Sequence, residues 1–170
     1  MQFNEAMFMT KVDNIFVKLH TCIMKGDLSD VDHFISDNVY KKYQKYIDEL
    51  KSNNERQMYD ELNVKSTKIL NKLETEDSNI IEVEIISRYM DYVIDIDSGN
   101  LKRGIDTSRV EKRNILTFEK KKDTKDIKIV RKCPGCGASI SVNTSGQCDY
   151  CGRIYNQEDY DFILKDIVTY

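Results

Sequence analysis

Residues 80–96 read IIEVEIISRYMDYVIDI, and this stretch indicates the class of fold. Apolar and polar residues alternate along it, which is the period of a β-strand with one buried face. The apolar positions are first odd-numbered and then even-numbered: Ile81, Val83 and Ile85, then Met90, Tyr92 and Ile94. One extra residue between Ile86 and Tyr89 would return both sets to one face. The pattern therefore predicts a long strand that is bent by a β-bulge between Ile86 and Tyr89.

Two further strands are expected beside this one. Residues 62–73 are rich in β-branched residues, and residues 74–79 supply turn-forming side chains before the long strand begins. The sequence DSGN at residues 97–100 turns the chain back. A third strand fits residues 110–119, where one face carries Val110, Leu116 and Phe118. The three segments together predict an antiparallel meander.

The region before the strands has helical periodicity. A first helix ends at Gly26 and carries apolar residues three or four positions apart: Phe8, Val12, Ile15, Phe16, Leu19 and Ile23. Asp27 is the expected N-cap of a short second helix that carries Leu28, Val31, Phe34 and Ile35. Ser36 or Asp37 is the expected cap of a third helix, whose apolar stripe is Val39, Tyr43, Tyr46, Ile47 and Leu50.

Helices followed by a meander predict an α+β domain, with the N-terminal helices packed on one face of a curved antiparallel sheet. The charged residues 120–128 lack an apolar pattern and are the expected linker. We therefore divide the chain into an α+β domain at residues 1–125 and a second region at residues 126–170. Residues 160–170 are too apolar for a free tail, so we expect them to dock onto the α+β domain as a strand or a short helix.

Composition narrows the class of protein. The chain has 170 residues, of which 40% are hydrophobic and 32% charged, so it can bury a core and keep a solvated surface. A formal net charge of -3 argues against a dedicated nucleic-acid-binding protein. No run approaches the roughly 20 apolar residues that span a bilayer, and the first residues lack the positive start of a signal peptide. We expect a cytoplasmic protein, peripheral at most to the inner face of the membrane.

The cysteines fall as one isolated residue, Cys22, and two CxxC pairs. The pairs read CPGCG at residues 133–137 and CDYCG at residues 148–152. A CxxC turn places two thiolates on one side of a tight loop, and two such turns supply four soft ligands for a tetrahedral metal site. Paired spacing without an export signal favours metal binding in a reducing compartment over disulfides. We predict one Zn²⁺ ion bound by Cys133, Cys136, Cys148 and Cys151.

Four thiolates saturate the metal, so the predicted zinc is structural and not catalytic. About 25 residues cannot bury enough surface to fold alone, and zinc contributes roughly 10–16 kcal/mol in sites of this kind. A rubredoxin-like iron site uses the same ligands but fits the short gap less well. Ile140 and Val142 alternate ahead of a turn at residues 143–146, so a short hairpin is expected between the two cysteine pairs.

Few other residues are candidates for chemistry. Asp91 lies in the polar and aromatic stretch SRYMDY and could act as a base at a pocket mouth, although a structural hydrogen bond is the favoured interpretation. His20 and His33 stand alone on predicted helices and are expected to be surface or partly buried side chains. Cys22 is expected to be a small buried residue. The sequence contains no phosphate-binding loop, nucleophile elbow or HExxH motif.

Charge is distributed unevenly along the predicted strands. Residues 101–132 contain twelve Lys and Arg against five Asp and Glu, whereas residues 71–100 contain two basic residues against eight acidic ones. Pairing between adjacent strands is the favoured explanation. The alternative is a basic strip that contacts anionic lipid or an acidic partner.

Three segments, taken together with the cysteine pairs, are similar to a known family. They are FVKLHTCIM at residues 16–24, ERQMYDELNV at residues 55–64 and SRYMDY at residues 87–92. In combination they resemble the bacterial zinc-ribbon members of the Tim44-like family, which is named after a peripheral subunit of the mitochondrial inner-membrane import translocase. The resemblance implies a cystatin-like or nuclear-transport-factor-like fold, in which the helices and a curved sheet enclose an apolar pocket.

The resemblance also implies membrane association and a protein-transport or scaffolding role without catalysis. The region that matches the membrane contact of the mitochondrial relatives is residues 1–9, with Phe3, Met7 and Phe8 as the candidate side chains. We therefore expect a non-enzymatic binding or scaffold module. It would have a protein partner, a weak contact with anionic membrane and an apolar ligand in its pocket.

Two alternatives stay open at this point. The first is a pocket enzyme or small-ligand binder of the same fold that uses Asp91 or a tyrosine. The second is a nucleic-acid-binding zinc ribbon, for which Tyr150, Arg153 and Tyr155 are the candidate residues.

Overall fold

The computed structural model describes residues 3–122, 130–132, 139–141 and 162–170, with side chains for the first and last of these ranges. Two helices come first, α1 (Glu5–Lys25) and α2 (Asp37–Ser52), and a 3₁₀ turn at Asp32–Phe34 separates them. The described strands follow as β1 (Glu55–Glu74), β2 (Ser78–Asp95), β3 (Leu101–Gly104), β4 (Val110–Lys121), β5 (Val130–Lys132), β6 (Ser139–Ser141) and β7 (Ile163–Thr169).

Side-chain caps start both helices. The Asn4 side chain accepts a hydrogen bond from the Met7 backbone N–H at 3.1 Å, and Ser36 Oγ accepts one from the Val39 N–H at 3.3 Å. Gly26 ends α1 in the left-handed region, with a φ of 72° that favours glycine. The first and third predicted helices are therefore confirmed.

The predicted second helix is wrong in extent, because only the 3₁₀ turn at Asp32–Phe34 forms there. Asp27 accepts a hydrogen bond from the Ser29 N–H at 2.9 Å, two residues on. This contact stabilises a local turn and not a helix N-terminus. The apolar residues of the segment still enter the core: Leu28, Val31 and Ile35.

The sheet is antiparallel and five-stranded, in the order β1-β2-β4-β7, and β3 pairs with the end of β2 that β4 does not reach. β1 begins at Glu55, opposite Asp95, and not at residue 62 as expected. α1 and α2 contribute to one hydrophobic core with the sheet. The predicted α+β architecture of helices on an antiparallel sheet is confirmed.

The predicted bulge between Ile86 and Tyr89 is wrong. β2 pairs with β4 without a register shift from Ser78 to Tyr89. Every buried residue of β2 after residue 80 is odd-numbered, so the even-numbered apolar residues Met90, Tyr92 and Ile94 lie on the other face, where they are half-buried. Their cross-strand neighbours on that face include Met58 and Leu101. This end of β2 carries apolar residues on both faces. The apolar pattern in the sequence therefore shifts from odd to even positions although the strand contains no bulge.

The irregular pairing belongs to β1 instead. Its pairing with β2 shifts at three places, and each shift leaves one extra residue on β1: between Asp60 and Asn63, between Val64 and Ser66, and between Ile69 and Asn71. Glu61, within the first shift, has a φ of 56°, in the left-handed region. Extra residues on one strand bend it and increase its twist. Because β1 lies at an edge of the sheet, they also make that edge a poor template for pairing with another chain.

The last strand completes the core. β7 pairs with β4, and its segment buries Phe162, Ile163, Leu164 and Ile167. On the other side of β7, Ser36 donates from its backbone N–H to Leu164 O at 2.8 Å and from Oγ to Lys165 O at 3.1 Å. Lys42 Nζ donates to Ile167 O at 2.9 Å. The predicted docking of the C-terminal segment is thus confirmed, in its strand form, for residues 162–170.

Neighbouring strands therefore bracket residues 123–161. β4 ends at Lys121, and β7 begins at Ile163, which lies opposite Glu119 in the sheet. Residues 120 and 121 of the expected linker at residues 120–128 belong to β4 instead, and residues 123–128 lie outside the described residues. The division of the chain at residue 125 falls outside the described residues and stays a prediction.

A short hairpin is described within the bracketed segment. β5 and β6 pair antiparallel, with Arg131 opposite Ile140. The residues that join them, 133–138, contain the first cysteine pair and lie outside the described residues. The hairpin was expected between the two cysteine pairs, whereas the described hairpin encloses the first pair. The predicted turn at residues 143–146 lies outside the described residues.

We expect Ser36→Ala to lower the free energy of unfolding by about 1–2 kcal/mol, because the substitution removes both the cap of α2 and the hydrogen bond to β7. Urea unfolding followed by circular dichroism measures the change. Ser52→Ala is the matched control, since the Ser52 hydroxyl is exposed at the other end of α2, and it should cost less than about 0.5 kcal/mol. Equal costs for the two variants would contradict this role of Ser36.

Candidate functional site

The helix-covered face of the sheet changes from apolar to polar along β2. Its inward-facing residues are Ile81, Val83 and Ile85 at one end and Ser87, Tyr89 and Asp91 at the other. On β4 the same change runs from Phe118 and Leu116 to Asn114 and Lys112, which lie opposite Ile81, Val83, Ile85 and Ser87 in turn. The side chains of Asp91 and Lys112 are 37% and 32% exposed, so the polar end is the open one.

Aromatic side chains from three elements meet at this polar end. The His20 ring centroid lies 4.2 Å from that of Phe16 and 4.7 Å from that of Tyr59. The Tyr89 centroid lies 5.8 Å from His20 and 5.3 Å from Tyr59, which it meets edge to face. Phe16 and His20 are four residues apart on α1 and so share one face of the helix. We refer to Phe16, His20, Tyr59 and Tyr89 as the aromatic cluster.

His20 is buried and neutral. Its Nδ1 lies 2.8 Å from Phe16 O, which can only accept, so Nδ1 carries the proton and Nε2 is the acceptor. Burial lowers the pKa of His20 to about 4, although the hydrogen bond to Phe16 and the charge of Asp91 both act to raise it. At neutral pH the aromatic cluster therefore contains an imidazole and no positive charge.

A hydrogen-bonded chain leads from α2 to Asp91. Tyr46 Oη donates to Gln57 Oε1 at 2.5 Å, and Gln57 Nε2 donates to Asp91 Oδ1 at 2.7 Å. Lys112 Nζ lies 4.0 Å from the other oxygen of the Asp91 carboxylate. Because Gln57 is almost fully buried, it fixes the direction of both partners. Asp91 is thus placed as a hydrogen-bonded carboxylate, which agrees with the favoured sequence interpretation.

The tyrosines near the aromatic cluster are hydrogen-bond donors at any physiological pH. Burial raises the pKa of Tyr43 to about 12. Burial also raises the pKa values of Tyr59 and Tyr89, with nearby Asp91 adding to the effect. None of these hydroxyl groups is activated as a nucleophile or a base. Within the described residues, His20 and Asp91 hydrogen-bond to different partners, so they do not form an acid–base pair.

Sequence reasoning missed two members of this site. His20 was expected to be a surface or partly buried side chain, but it is a central member of the aromatic cluster. Gln57 lies ahead of the first strand that the sequence predicts. The inward-facing residues at the start of β1 include Glu55 and Gln57, which are polar, so no apolar alternation marks this part of the strand. The expected burial of Cys22 is confirmed.

The predicted zinc ligands lie outside the described residues. These are Cys133, Cys136, Cys148 and Cys151. The nucleic-acid candidates Tyr150, Arg153 and Tyr155 also fall there. In residues 3–122 and 162–170, no three His, Cys, Asp or Glu side chains are grouped so that they could hold a metal ion. The zinc site therefore stays a prediction from spacing.

The three candidate membrane residues differ in exposure. Phe8 is 5% exposed and packs against Phe118 and Phe162, with ring centroids 5.6 and 5.2 Å apart, so its assignment to a membrane contact is wrong. Phe3 is 41% exposed but contacts Phe8. Met7 is 71% exposed. The helical period that places Phe8 on the core face of α1 turns Met7 away from it.

Much of the basic stretch is paired across strands. In the described part of the chain, its basic side chains meet carboxylates of β1 and β2: Arg103 with Glu55, Arg109 with Glu61, Lys112 with Asp91, Arg113 with Glu84, and Lys122 with Glu74. The favoured explanation of the charge pattern, cross-strand pairing, is confirmed for these residues. Because these basic side chains are paired with carboxylates, the positive electrostatic field of residues 101–132 is weaker than a count of their charges indicates.

Comparison with known proteins adds one finding. A family model described as the Tim44-like domain matches residues 1–128. The match covers α1 through β4 and ends before the cysteine pairs. No curated protein matches the chain. Among the described residues, no helix is long and apolar enough to cross a membrane.

We expect His20→Gln to remove part of the acid sensitivity of the fold. Because the folded His20 has a pKa of about 4 and the unfolded residue one of about 6.5, the unfolded state binds more protons between these values. Stability that is fully present above pH 6.5 is therefore lost as the pH falls to 4, by about 3 kcal/mol from this residue. Glutamine can still donate to Phe16 O but does not titrate.

Urea unfolding of both proteins at several pH values between 7.5 and 4 measures this difference. The loss of stability in the wild type should exceed that in His20→Gln by about the stated amount. The same comparison removes the pH dependence that the two proteins have in common. Parallel stability curves for the two proteins would show that His20 is not held neutral.

Proposed function

The chain belongs to the family of Tim44-like domains, and we propose that it is a membrane-peripheral scaffold of protein transport that carries one structural zinc ion. The family match over residues 1–128 is the observation that carries the proposal. It supports a non-enzymatic scaffold or binding module. The transport role, the membrane and the zinc ion are the parts that we infer beyond the family.

The geometry of the polar end favours binding over catalysis. Asp91 is hydrogen-bonded by the neutral amide of Gln57 and faces Lys112, so its carboxylate is positioned and charge-compensated. A general base must lie within hydrogen-bond reach of the proton that it removes from the substrate, whereas Asp91 already accepts a hydrogen bond from Gln57. The neutral tyrosines and His20 instead offer a fixed set of donors and acceptors, as a binding surface does.

The zinc proposal rests on ligand chemistry and on chain topology. Cys133, Cys136, Cys148 and Cys151 would hold the ion, and it would stabilise the segment between β4 and β7 without an open coordination position. The antiparallel pairing of β5 and β6 supports the proposal, because it brings together the two strand ends that flank the first cysteine pair. Residues 123–161 are too few to bury a core, so a bound metal is their expected source of stability.

The membrane proposal rests on the start of α1. Met7 is the most exposed of the candidate side chains, and the partly exposed Phe3 ring lies four residues earlier, under the Lys72 ammonium at 4.9 Å, which also pairs with Glu5. Apolar side chains beside a basic group suit the interface of an anionic bilayer. Since many basic side chains are already paired, we propose a weak, salt-sensitive contact at the inner face of the membrane, with a protein partner supplying further affinity.

We expect the purified protein to contain one zinc ion per chain. Cys136→Ser should lose the ion, because three thiolates bind zinc far more weakly than four, whereas the helical circular dichroism should persist, since α1 and α2 belong to a separate core. Cys22→Ser is the matched control and should keep the ion, because Cys22 is buried in that core. Elemental analysis that finds iron, or no metal, would refute the zinc assignment.

We expect the protein to sediment with phosphatidylglycerol vesicles at low salt and to be released at physiological salt, where the Debye length falls to about 8 Å. Met7→Ser should reduce the bound fraction, because it removes the most exposed apolar side chain of the contact. Val17→Ser is the control. Val17 is also an exposed apolar residue of α1, but it lies about 15 Å farther along the helix axis. Equal binding to phosphatidylcholine vesicles, or none at low salt, would remove the membrane from the proposal.

A further inference from the structure

Two polar side chains on the helix-covered face of the sheet are buried without hydrogen-bond partners. Ser87 is 0% exposed and Asn114 is 1% exposed. Within the part of the chain that the structure describes, neither Ser87 Oγ nor Asn114 Nδ2 has a partner. Buried polar groups are nearly always hydrogen-bonded, and an unpaired one costs a large fraction of the net stability of a domain. Two such groups on neighbouring strands therefore call for an explanation.

The two groups lie close together on the sheet. Ser87 on β2 pairs in register with Lys112 on β4, and Asn114 is two residues further along β4. Both side chains point to the same face, because residues two apart on a strand share a face and residues in register lie side by side. Diagonal neighbours of this kind are about 7–8 Å apart, with their Cβ atoms somewhat closer, so one small group can lie between the two side chains. They form the inner end of the polar surface, next to apolar Ile85.

The direction of the Asn114 amide is fixed. Its Oδ1 accepts a hydrogen bond from Thr169 Oγ at 2.7 Å, so Nδ2 is directed away from β7. The Ser87 hydroxyl can rotate and can donate as well. Two neutral donors thus share one site, and their complement is an oxygen atom that accepts two hydrogen bonds.

The surroundings exclude a charged complement. His20 is neutral, and the Lys112 ammonium lies 4.0 Å from the Asp91 carboxylate, which compensates its charge. A carboxylate buried beside Ser87 would have no uncompensated cation to offset the loss of its hydration. An uncharged carbonyl oxygen meets no such penalty. Next to the site, the partly buried Tyr59 ring, which meets Tyr89 edge to face, leaves aromatic surface against which an apolar body can pack.

A route to the site begins at Lys112. This residue lies directly opposite Ser87, and its side chain is 32% exposed. A lysine side chain has a flexible four-carbon stem, and it exchanges rotamers in picoseconds to nanoseconds when it is exposed. Its contact with Asp91 is a partly exposed ion pair, which contributes little to stability. Rotation of Lys112 therefore opens the polar end at little cost.

We propose that Ser87 and Asn114 bind the carbonyl oxygen of a small uncharged ligand, such as a ketone, an ester or an amide, whose apolar body packs against the aromatic cluster. The ligand supplies the acceptor that both buried donors lack. This inference is independent of the zinc and membrane proposals, because its residues belong to the core that helices α1 and α2 form with the sheet.

Two serines of β2 provide the test in the free protein. Ser87→Ala should raise Tm by about 2–4 °C, because it removes a buried hydroxyl that has no partner. Ser78→Ala is the matched control: Ser78 is also buried on β2, but its Oγ donates to Glu119 at 2.7 Å, so its loss should lower Tm. A lower Tm for Ser87→Ala would show that the Ser87 hydroxyl already has a stabilising partner in the free protein, for example a buried water molecule. That result would overturn the proposal.

Binding is tested with acetophenone and ethylbenzene, which have similar shapes and differ in the carbonyl group. Chemical-shift titration of the labelled wild-type protein should show that acetophenone binds at least about five-fold more tightly than ethylbenzene. In Ser87→Ala this preference should fall by about five-fold, while the affinity for ethylbenzene stays unchanged. No binding of either probe, or a preference that survives in Ser87→Ala, would overturn the proposal.

Discussion

β7 is held on both of its edges, and the core depends on this. Along one edge its backbone pairs with β4, and along the other its carbonyl groups accept hydrogen bonds from Ser36 and Lys42 at the start of α2. The strand therefore joins the helix layer to the sheet through backbone contacts as well as through the buried side chains of Leu164 and Ile167. Since buried backbone carbonyls must find donors, the position of α2 and the position of β7 determine each other. Residues 162–170 in this way belong to the same core as the two helices at the other end of the domain.

The interior of the domain changes in composition along the length of β2, from apolar at one end to polar and aromatic at the other. At the apolar end, Val83, Leu116 and Phe118 are fully buried, and burial of such side chains is the main stabilising term of the fold. At the other end the chain buries the side chains of Ser87 and Asn114 with polar atoms that lack partners among the described residues, which reduces stability. Natural sequences accept such local costs where a surface has a task to perform. The aromatic cluster and the hydrogen-bonded Asp91 are therefore where binding is to be sought, and the apolar end is the support that holds them in place.

The elements that the sequence predicts well are those with local causes. The caps at Ser36 and Gly26 and the four-residue spacing of apolar positions depend on neighbours in the chain, so the two main helices follow directly. The register of β1 depends on residues some 30 positions away, and nothing local distinguishes a bulge in β2 from apolar side chains on both faces of it. The sequence pattern does not reveal the start of β1 for a related reason. The inward-facing residue there, Gln57, is polar and donates a hydrogen bond to Asp91, so it adds nothing to the apolar alternation. The setting of His20 likewise arises from contacts with β1 and β2, which a single helix cannot reveal. The CxxC spacing is local, so it predicts a metal ligand set without any knowledge of the fold.

The pairing of Glu119 with Ile163 has a further meaning for the architecture of the chain. Paired residues of antiparallel strands have Cα atoms about 5 Å apart, which a two-residue turn can bridge. The whole cysteine-bearing segment thus leaves and rejoins the sheet at a point where a plain hairpin would serve equally well. Such a position tolerates exchange: a segment there can be shortened, replaced or acquired without disturbing any strand pairing of the host. β4 and β7 hold the two ends of any such insertion side by side, at neighbouring positions of one strand pair.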